Sequence, residues 1–289
     1  MNASRFTFDA IGTTWDIECF LPNSDEKEVY EKIQARIDIF DLNYSRFRSD
    51  SLVQKMAKKP GAYTMPEDFE PLWSVYENLY RLTNGAFTPL VASLLEDLGY
   101  DATYSLKKKD VLRSVPELSE VVSYKSPELY MREPALLDIG AGGKGHLVDI
   151  VGGILKENGA STFSINAGGD ILHFGADILK VGLENPKNTT EALGIITLQN
   201  ESICGSAGNR RLLGNEHHIV DPKTGASPKN IGAVWVLASS ALLADALATA
   251  LYFVDPKVLL DEYTFNWAIL YSDQSVRFSP RFEEAFFSK

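Results

Sequence analysis

The chain has 289 residues, 45% hydrophobic and 23% charged, with 39 acidic against 28 basic side chains and a net charge of −11. That composition belongs to an ordinary globular protein with enough apolar surface for a substantial core. A surface this acidic repels phosphate backbones, which argues against nucleic-acid binding, and any anionic ligand then needs a metal, backbone N–H groups or a few placed cations. Cys19 and Cys204 make neither a disulfide framework nor a zinc cluster. No apolar run is long enough to span a bilayer, and Met1 to Trp15 lacks the charged onset and apolar stretch of a signal peptide. The expected location is the cytoplasm, or the periplasm or a membrane anchor if an export segment has been trimmed away.

The first strand is expected over 13–21, after Gly12. Val29, Ile33, Ile37 and Phe40 recur near helical spacing and predict a helix over 25–41, opening at Asp25. Thr64-x-x-Glu67, with Pro66 in the first turn, reads as a capping box. The helix it opens carries Phe69, Leu72, Val75, Leu79 and Leu82 and ends near Gly85. Another helix follows Pro89, and Lys107 to Lys109 reads as a solvated charged segment. The second half is richer in strands, expected over 162–165, 178–183, 194–198, 218–220 and 233–237, with helices over 144–157 and 241–253. From Trp267 onward a strand pair and a short terminal helix are expected. Helices and strands mix without βαβ alternation, which predicts an α+β fold. No Pro/Gly/Ser linker divides the chain, so residues 1–289 read as a single domain of two lobes, with mixed sheets and packed helices.

Chemistry concentrates in a few segments. In Asp138-Ile-Gly140-Ala141-Gly-Gly-Lys144-Gly145, a strand-like end runs into glycines and then into an amphipathic helix. Glycines let a backbone approach phosphate, free N–H groups at a helix start attract anions, and Lys144 adds a cation. This is not a Walker A loop, because Asp138 stands at its first glycine and Gly145 at its Ser/Thr position. Phosphate binding and a plain glycine turn with an exposed lysine both remain open. Asn166-Ala-Gly168-Gly169-Asp170 reads as a turn between strands. His218 is either a general base or a histidine hydrogen-bonded within a strand. Asp245 and Thr249 share one face of a helix whose other residues are small or apolar. A carboxylate and a hydroxyl there suit Mg²⁺, and a metal is one way to satisfy a buried carboxylate; an Asp that caps or pairs elsewhere is the alternative. No Gly-x-Gly-x-x-Gly follows the first strand, which disfavours a nicotinamide-type Rossmann dehydrogenase. Together the glycine turns, the metal-capable carboxylate and the histidine describe a site for a diphosphate-linked ligand.

In order, the chain carries Gly12-Thr-Thr14, Ser45-Arg-Phe47-Arg-Ser-Asp50-Ser51, Thr83-Asn-Gly85-Ala-Phe87-Thr-Pro89 and Leu137-Asp-Ile-Gly140 through Lys144-Gly145 and Val148-Asp149. Asn166-Ala-Gly-Gly-Asp170, His218-Ile-Val-Asp221-Pro-Lys-Thr224-Gly225 and Ala244-Asp245-Ala-Leu-Ala-Thr249-Ala250 follow. On these motifs, from Gly12 to Phe253, the chain resembles the ApbE family, the FAD:protein FMN transferases, with their T-fold-like architecture. The resemblance implies FAD as substrate and Mg²⁺ as cofactor, bound in a cleft between lobes. The metal ligands it implies are the Asp245 carboxylate, the Thr249 hydroxyl and the Ala141 carbonyl. A Thr or Ser hydroxyl of a target protein, in an Asp-x-x-Thr/Ser-Gly-Ala-Thr/Ser sequence, would attack the FMN-side phosphorus, and AMP would leave. His218 is the candidate base, Phe47 lines the flavin site, and Asp138, Gly140, Lys144, Asn166, Gly168, Gly169, Asp170, Ser206 and His218 are expected around the ligand. An FAD pyrophosphatase, with water in place of the hydroxyl, and an FAD-binding protein without turnover are the alternatives.

Three departures stand out. Gly140-Ala-Gly-Gly-Lys-Gly145 replaces the family's Gly-Gly-Ile-Ala-Lys-Gly, Ala207 stands where a Ser hydroxyl is usual, and His217 replaces a Ser. Asp221-Pro-Lys-Thr-Gly-Ala-Ser227 itself resembles the acceptor sequence, which raises Ser227 as a self-modification site.

Overall fold

The computed structural model describes residues 3–21, 26–209, 212–214 and 216–287. β1 (Ser4–Ala10) and β2 (Thr13–Phe20) form a hairpin whose turn residues, Ile11 and Gly12, both have positive φ (43° and 79°). α1 (Glu26–Tyr44) buries the expected Val29, Ile33, Ile37 and Phe40 and extends to bury Tyr44; its predicted start, Asp25, lies outside the described residues. α2 (Leu52–Met56), β3 (Gly61–Thr64) and α3 (Phe69–Leu82) follow.

The predicted capping box does not form. Thr64 ends β3, and its hydroxyl donates to Glu128 Oε1 at 2.7 Å. Asp68 takes the N-cap position without a side-chain cap bond, because Tyr44 Oη and Arg36 already hold its carboxylate. A strand partner for Thr64 outcompeted the local cap, and no sequence spacing announces that partner.

A 3₁₀ turn at Pro89–Val91 leads into α4 (Ala92–Asp97), then α5 (Leu118–Val121), β4 (Val122–Lys125) and β5 (Glu128–Met131). Next come α6 (Gly143–Glu157), β6 (Thr162–Ala167), β7 (Asp170–Phe174), β8 (Leu179–Asn185), β9 (Asn188–Leu198) and β10 (Ser202–Ala207). The chain finishes with β11 (Ile231–Ala238), α7 (Ala241–Ala250), α8 (Pro256–Leu260), β12 (Asn266–Tyr271), β13 (Val276–Phe278) and a 3₁₀ turn at Pro280–Phe282.

Eight strands make one antiparallel sheet in the order β1-β2-β6-β7-β10-β11-β12-β13, beside a β3-β5-β4 sheet and a β8-β9 ribbon. The period-two alternation of the strands splits the core. Trp15, Ile17, Cys19, Phe163, Ile165, Val234 and Val236 join the buried residues of α1, α6 and α7 in the larger cluster. Ile203, Ala233, Trp235, Ala268 and Leu270 face the other way and pack with Leu183, Ile196 and Leu198 of the ribbon. Helices on one face of an antiparallel sheet make the α+β fold expected from the sequence.

The strand expected over 218–220 is absent. That stretch belongs to a loop closed by an isolated Asp221–Ala226 bridge, in which the His217 N–H donates to Ser227 Oγ (2.8 Å) and Ser227 Oγ donates back to the His217 carbonyl (2.7 Å). Three apolar-polar residues are too few to fix a strand against these local bonds. Among the described residues no helix is long and apolar enough to cross a membrane.

Candidate functional site

A cleft of about 1440 Å³ runs between the ribbon-facing side of the large sheet and the ends of α1, α6 and α7. Phe47, Asp138, Gly140, Ala141, Lys144, Asn166, Gly168, Gly169, Ser206, His218, Asp245 and Thr249 all line it. These residues are drawn from across the chain, so the fold assembles what the sequence scatters.

The floor is built by the crossing of α6 and α7. A Cβ added at Gly145 would lie 2.1 Å from the Ala241 carbonyl oxygen, so only glycine permits this approach. The contact brings the Gly145 N–H, a free donor in the first turn of α6, to 3.0 Å from Asp245 Oδ2. Asp245 is 6% exposed, and this is the hydrogen bond its carboxylate accepts among the described residues. Burial pushes its pKa up, against the Lys144 charge and the Gly145 N–H. α7 is held in place from the other end. Asp149 of α6 accepts from the N–H groups of Ala241 (2.8 Å) and Leu242 (2.9 Å), while Ser240 Oγ accepts from the Leu243 N–H (3.2 Å). Burial pushes the Asp149 carboxyl up to about 6, against those N–H bonds.

Thr249 lies one helical turn after Asp245, with its hydroxyl 3.4 Å from Ser206 Oγ. The glycine turn before α6 rests on buried Tyr76, whose hydroxyl accepts from the Ala141 N–H at 3.2 Å. Asp138 accepts from the Gly140 N–H (2.6 Å) and pairs with Arg46 Nε (2.7 Å), so it shapes the turn rather than offering a free carboxylate.

Asp170 does not line the cleft. It is 1% exposed, and its carboxylate pairs with Lys144 from behind. Expected around the ligand, it is placed to shape the site only through Lys144: the β6–β7 turn, closed by Gly168 (φ 64°) and Gly169 (φ 104°), turns its first β7 residue inward. Asn166, by contrast, lines the cleft and accepts from the Gly169 N–H at 2.9 Å. A Cβ at Gly168 would meet Thr13 Oγ1 at 2.0 Å, which ties this turn to the first hairpin.

At the other end Phe47 is 41% exposed and stacks on Tyr104, with centroids 5.6 Å apart and planes at 24°. The Arg46 guanidinium sits 4.1 Å from the Phe47 ring centroid and donates to the Tyr100 carbonyl at 2.7 Å. Sequence reasoning found Phe47 but missed Arg46, Tyr76, Tyr104 and Asp149 as supports of the cleft. Arg46 and Asp149 sit within the motifs, but their partners, like those of Tyr76 and Tyr104, lie tens of residues away, so no local pattern shows what they hold.

His218 lines the cleft, whereas its neighbour His217 is buried. The His217 ring contacts the Pro228 carbonyl at 3.1 Å, and burial lowers its pKa. Ser227 is 4% exposed with its hydroxyl engaged to His217, so the self-modification idea fails: this oxygen is not presented to any ligand.

Among the described residues no three His, Cys, Asp or Glu gather as an all-side-chain metal site. The donor set present is one buried carboxylate, one hydroxyl and main-chain oxygens of a glycine turn. These hard oxygens suit Mg²⁺, which commonly takes one or two carboxylates and completes its shell with substrate phosphates and water.

A family model described as "ApbE family" matches residues 11–263. The chain belongs to the ApbE family. The FAD:protein FMN transferase of Escherichia coli strain K12 is 25% identical to this ApbE chain over 273 residues, spanning 86% of this chain and 77% of the relative. That of Buchnera aphidicola subsp. Schizaphis graminum is 24% identical over 264 residues, spanning 83% and 77%. In fold, the ApbE protein of Thermotoga maritima superposes with a TM-score of 0.83 at 23% identity, covering 99% of this chain and all of that one. The flavin transferase ApbE of Vibrio cholerae gives 0.82 at 20% identity, covering 99% of each.

Proposed function

We infer that the chain is an FAD:protein FMN transferase that works as one domain, moving FMN from FAD to a Thr or Ser hydroxyl of a target protein and releasing AMP. The observation that carries this reading is the convergence of Asp245, Thr249 and the Ala141 turn with His218 and Phe47 on one cleft. Family membership and the names of the relatives support the flavin chemistry. The acceptor is a segment with the Asp-x-x-Thr/Ser-Gly-Ala-Thr/Ser pattern.

The Asp245 carboxylate, the Thr249 hydroxyl and the Ala141 carbonyl would hold Mg²⁺, which when bound offsets the negative charge of the pyrophosphate. The rest falls to the chain itself. The glycine turn keeps bulky side chains away from the phosphate oxygens; its N–H groups from Gly140 to Gly143 and that of Gly145 are bonded within the protein, so the attraction comes from the positive end of α6 and from Lys144, fixed by Asp170. Phe47 and Tyr104 offer ring faces to the isoalloxazine. His218 takes the proton of the acceptor hydroxyl as its oxygen bonds to the FMN-side phosphorus; the bond from that phosphorus to the bridging oxygen breaks, and AMP departs with it.

The test is AMP release from FAD with Mg²⁺ and a peptide carrying the acceptor pattern, with covalent flavin read on the peptide. Asp245→Ala is expected to abolish both signals. His218→Ala should lower transfer by about 100-fold or more while FAD binding, measured by flavin fluorescence, persists. Free FMN with an unlabelled peptide would mean that water takes the acceptor's place. Full activity in Asp245→Ala would remove the basis of the reading.

A further inference from the structure

Where strands lining the cleft are paired on both sides, they line it with alternate residues: Asp16 and Glu18 of β2, Ser164 and Asn166 of β6, Ala233 and Trp235 of β11. That is the signature of a sheet face, because successive side chains point to opposite sides. β8 differs. Leu179, Lys180, Val181 and Gly182 line the cleft consecutively, with Glu184 beyond them. Leu179, Val181 and Leu183 belong with the second core cluster, whereas Lys180 and Gly182 are exposed. Residues from both faces reach the same cleft only if the strand presents its edge.

That edge is open among the described residues. β8 pairs with β9 alone, and no backbone hydrogen bond joins residues 179–183 to any other segment. The outer edge of β9, by contrast, is covered by the C-terminal segment: the Ile195 N–H donates to the Ala285 carbonyl (2.8 Å) and the Phe287 N–H to the Leu193 carbonyl (2.9 Å). One ribbon therefore has one edge sealed and the other turned into the cleft that holds His218 and Asp245. An open edge is a row of N–H and C=O groups that an extended chain completes as another strand. The register shift after Leu183 limits the straight part of this edge to a few residues, enough for a short peptide. The cleft also exceeds the roughly 300–1,000 Å³ of an ordinary small-ligand pocket, leaving room for a second occupant beside a dinucleotide.

We propose that the acceptor protein docks as an extended strand on the free edge of β8, over 179–183, which carries its Thr or Ser hydroxyl into the cleft. The proposal rests on the transferase reading for the identity of the occupant and on the open edge for its mode of binding. Main-chain bonds supply the grip, and the patterned side chains set which hydroxyl reaches the cleft.

Two measurements test it on the intact protein. The first follows amide exchange of isotope-labelled protein with FAD and Mg²⁺, with and without a synthetic Asp-x-x-Thr-Gly-Ala-Thr peptide. Alternate amides within 179–183 should slow by about tenfold or more in the presence of saturating peptide, since only every second residue of a strand points its N–H outward. The second uses peptides N-methylated one residue at a time, which removes single N–H donors and keeps every side chain. Methylation at alternate positions should lower kcat/KM for transfer by about fivefold to tenfold each, with FAD binding unchanged. Unchanged β8 amides at saturating peptide, or methylation effects without alternation, overturn the docking mode even if transfer proceeds. If the unmodified peptide receives no flavin, the transferase reading fails, and the exchange measurement alone then decides whether β8 is the docking edge.

Discussion

The two ends of the cleft are built in opposite ways. The end formed by α6 and α7 is a buried crossing: Asp245 is 6% exposed, Asp170 1%, and the helices meet where Gly145 leaves no space for a Cβ. The end formed by Phe47 and Tyr104 is two aromatic rings, 41% and 38% exposed, on irregular segments. Charge must be held where a low dielectric strengthens it and packing prevents drift, so the first end is inseparable from the core. A planar apolar ring needs only matching area, which exposed loops can offer. Function and stability should therefore fall together at the first end and separately at the second.

The largest joint effect on stability and activity is expected from Gly145→Ala. Its methyl would collide with the Ala241 backbone, which cannot yield without moving α7. Urea unfolding should show a loss of about 3 kcal/mol. AMP release should fall by at least about tenfold at temperatures where the variant is still folded, through a displaced Asp245. A stable Gly145→Ala variant with unimpaired activity would break the contrast at its stronger end.

Phe47→Ala should act on binding alone. The KM for FAD is expected to rise by about tenfold, with kcat within about twofold and an unfolding midpoint near that of the parent. An equal loss in kcat would mean the ring end also positions the reacting atoms.

The smallest effect on the chemistry is expected at the wall beneath Tyr104, where the change is in stability. Asp97, 1% exposed, accepts from Lys109 Nζ (2.8 Å) and from the Arg113 N–H (2.9 Å) and guanidinium (2.7 Å), clamping the segment that carries Tyr104 onto α4. Burial pushes its carboxyl up, but these bonds outweigh it and hold the group well below the usual carboxylate range. A carboxylate depressed in the folded state contributes stability that is full above its unfolded pKa and is lost as pH falls through the folded one. Asp97→Asn should cost about 2 kcal/mol at pH 7. The gap from the parent should narrow on titration below about pH 4, where the parent begins to lose the same contribution. A pH-independent difference would show that Asp97 acts by shape and not by charge.

Legibility in the sequence followed the range of the interaction. The helix marked by Val29, Ile33, Ile37 and Phe40 was readable because burial repeats with the helical period. The Gly168-Gly169 hairpin turn was readable because positive φ at both positions selects glycine. β1 escaped notice: its Phe6 and Phe8 alternate with polar residues over a stretch too short to stand out. Thr64 and the 218–220 stretch were misread because local patterns fitted while partners at Glu128 and Ser227 decided the outcome.

The sequence by itself determined the family and the α+β class and named candidate residues for chemistry, since glycine turns and an acid-alcohol pair on an apolar helix are local statements. Only the tertiary structure decided which of them face the cleft. It turned Asp170 inward to fix Lys144, engaged Ser227 with His217, and left one edge of β8 open. The physical reason is that a side chain's type fixes which bonds it can make, while competition among partners brought together by folding fixes which bonds it does make.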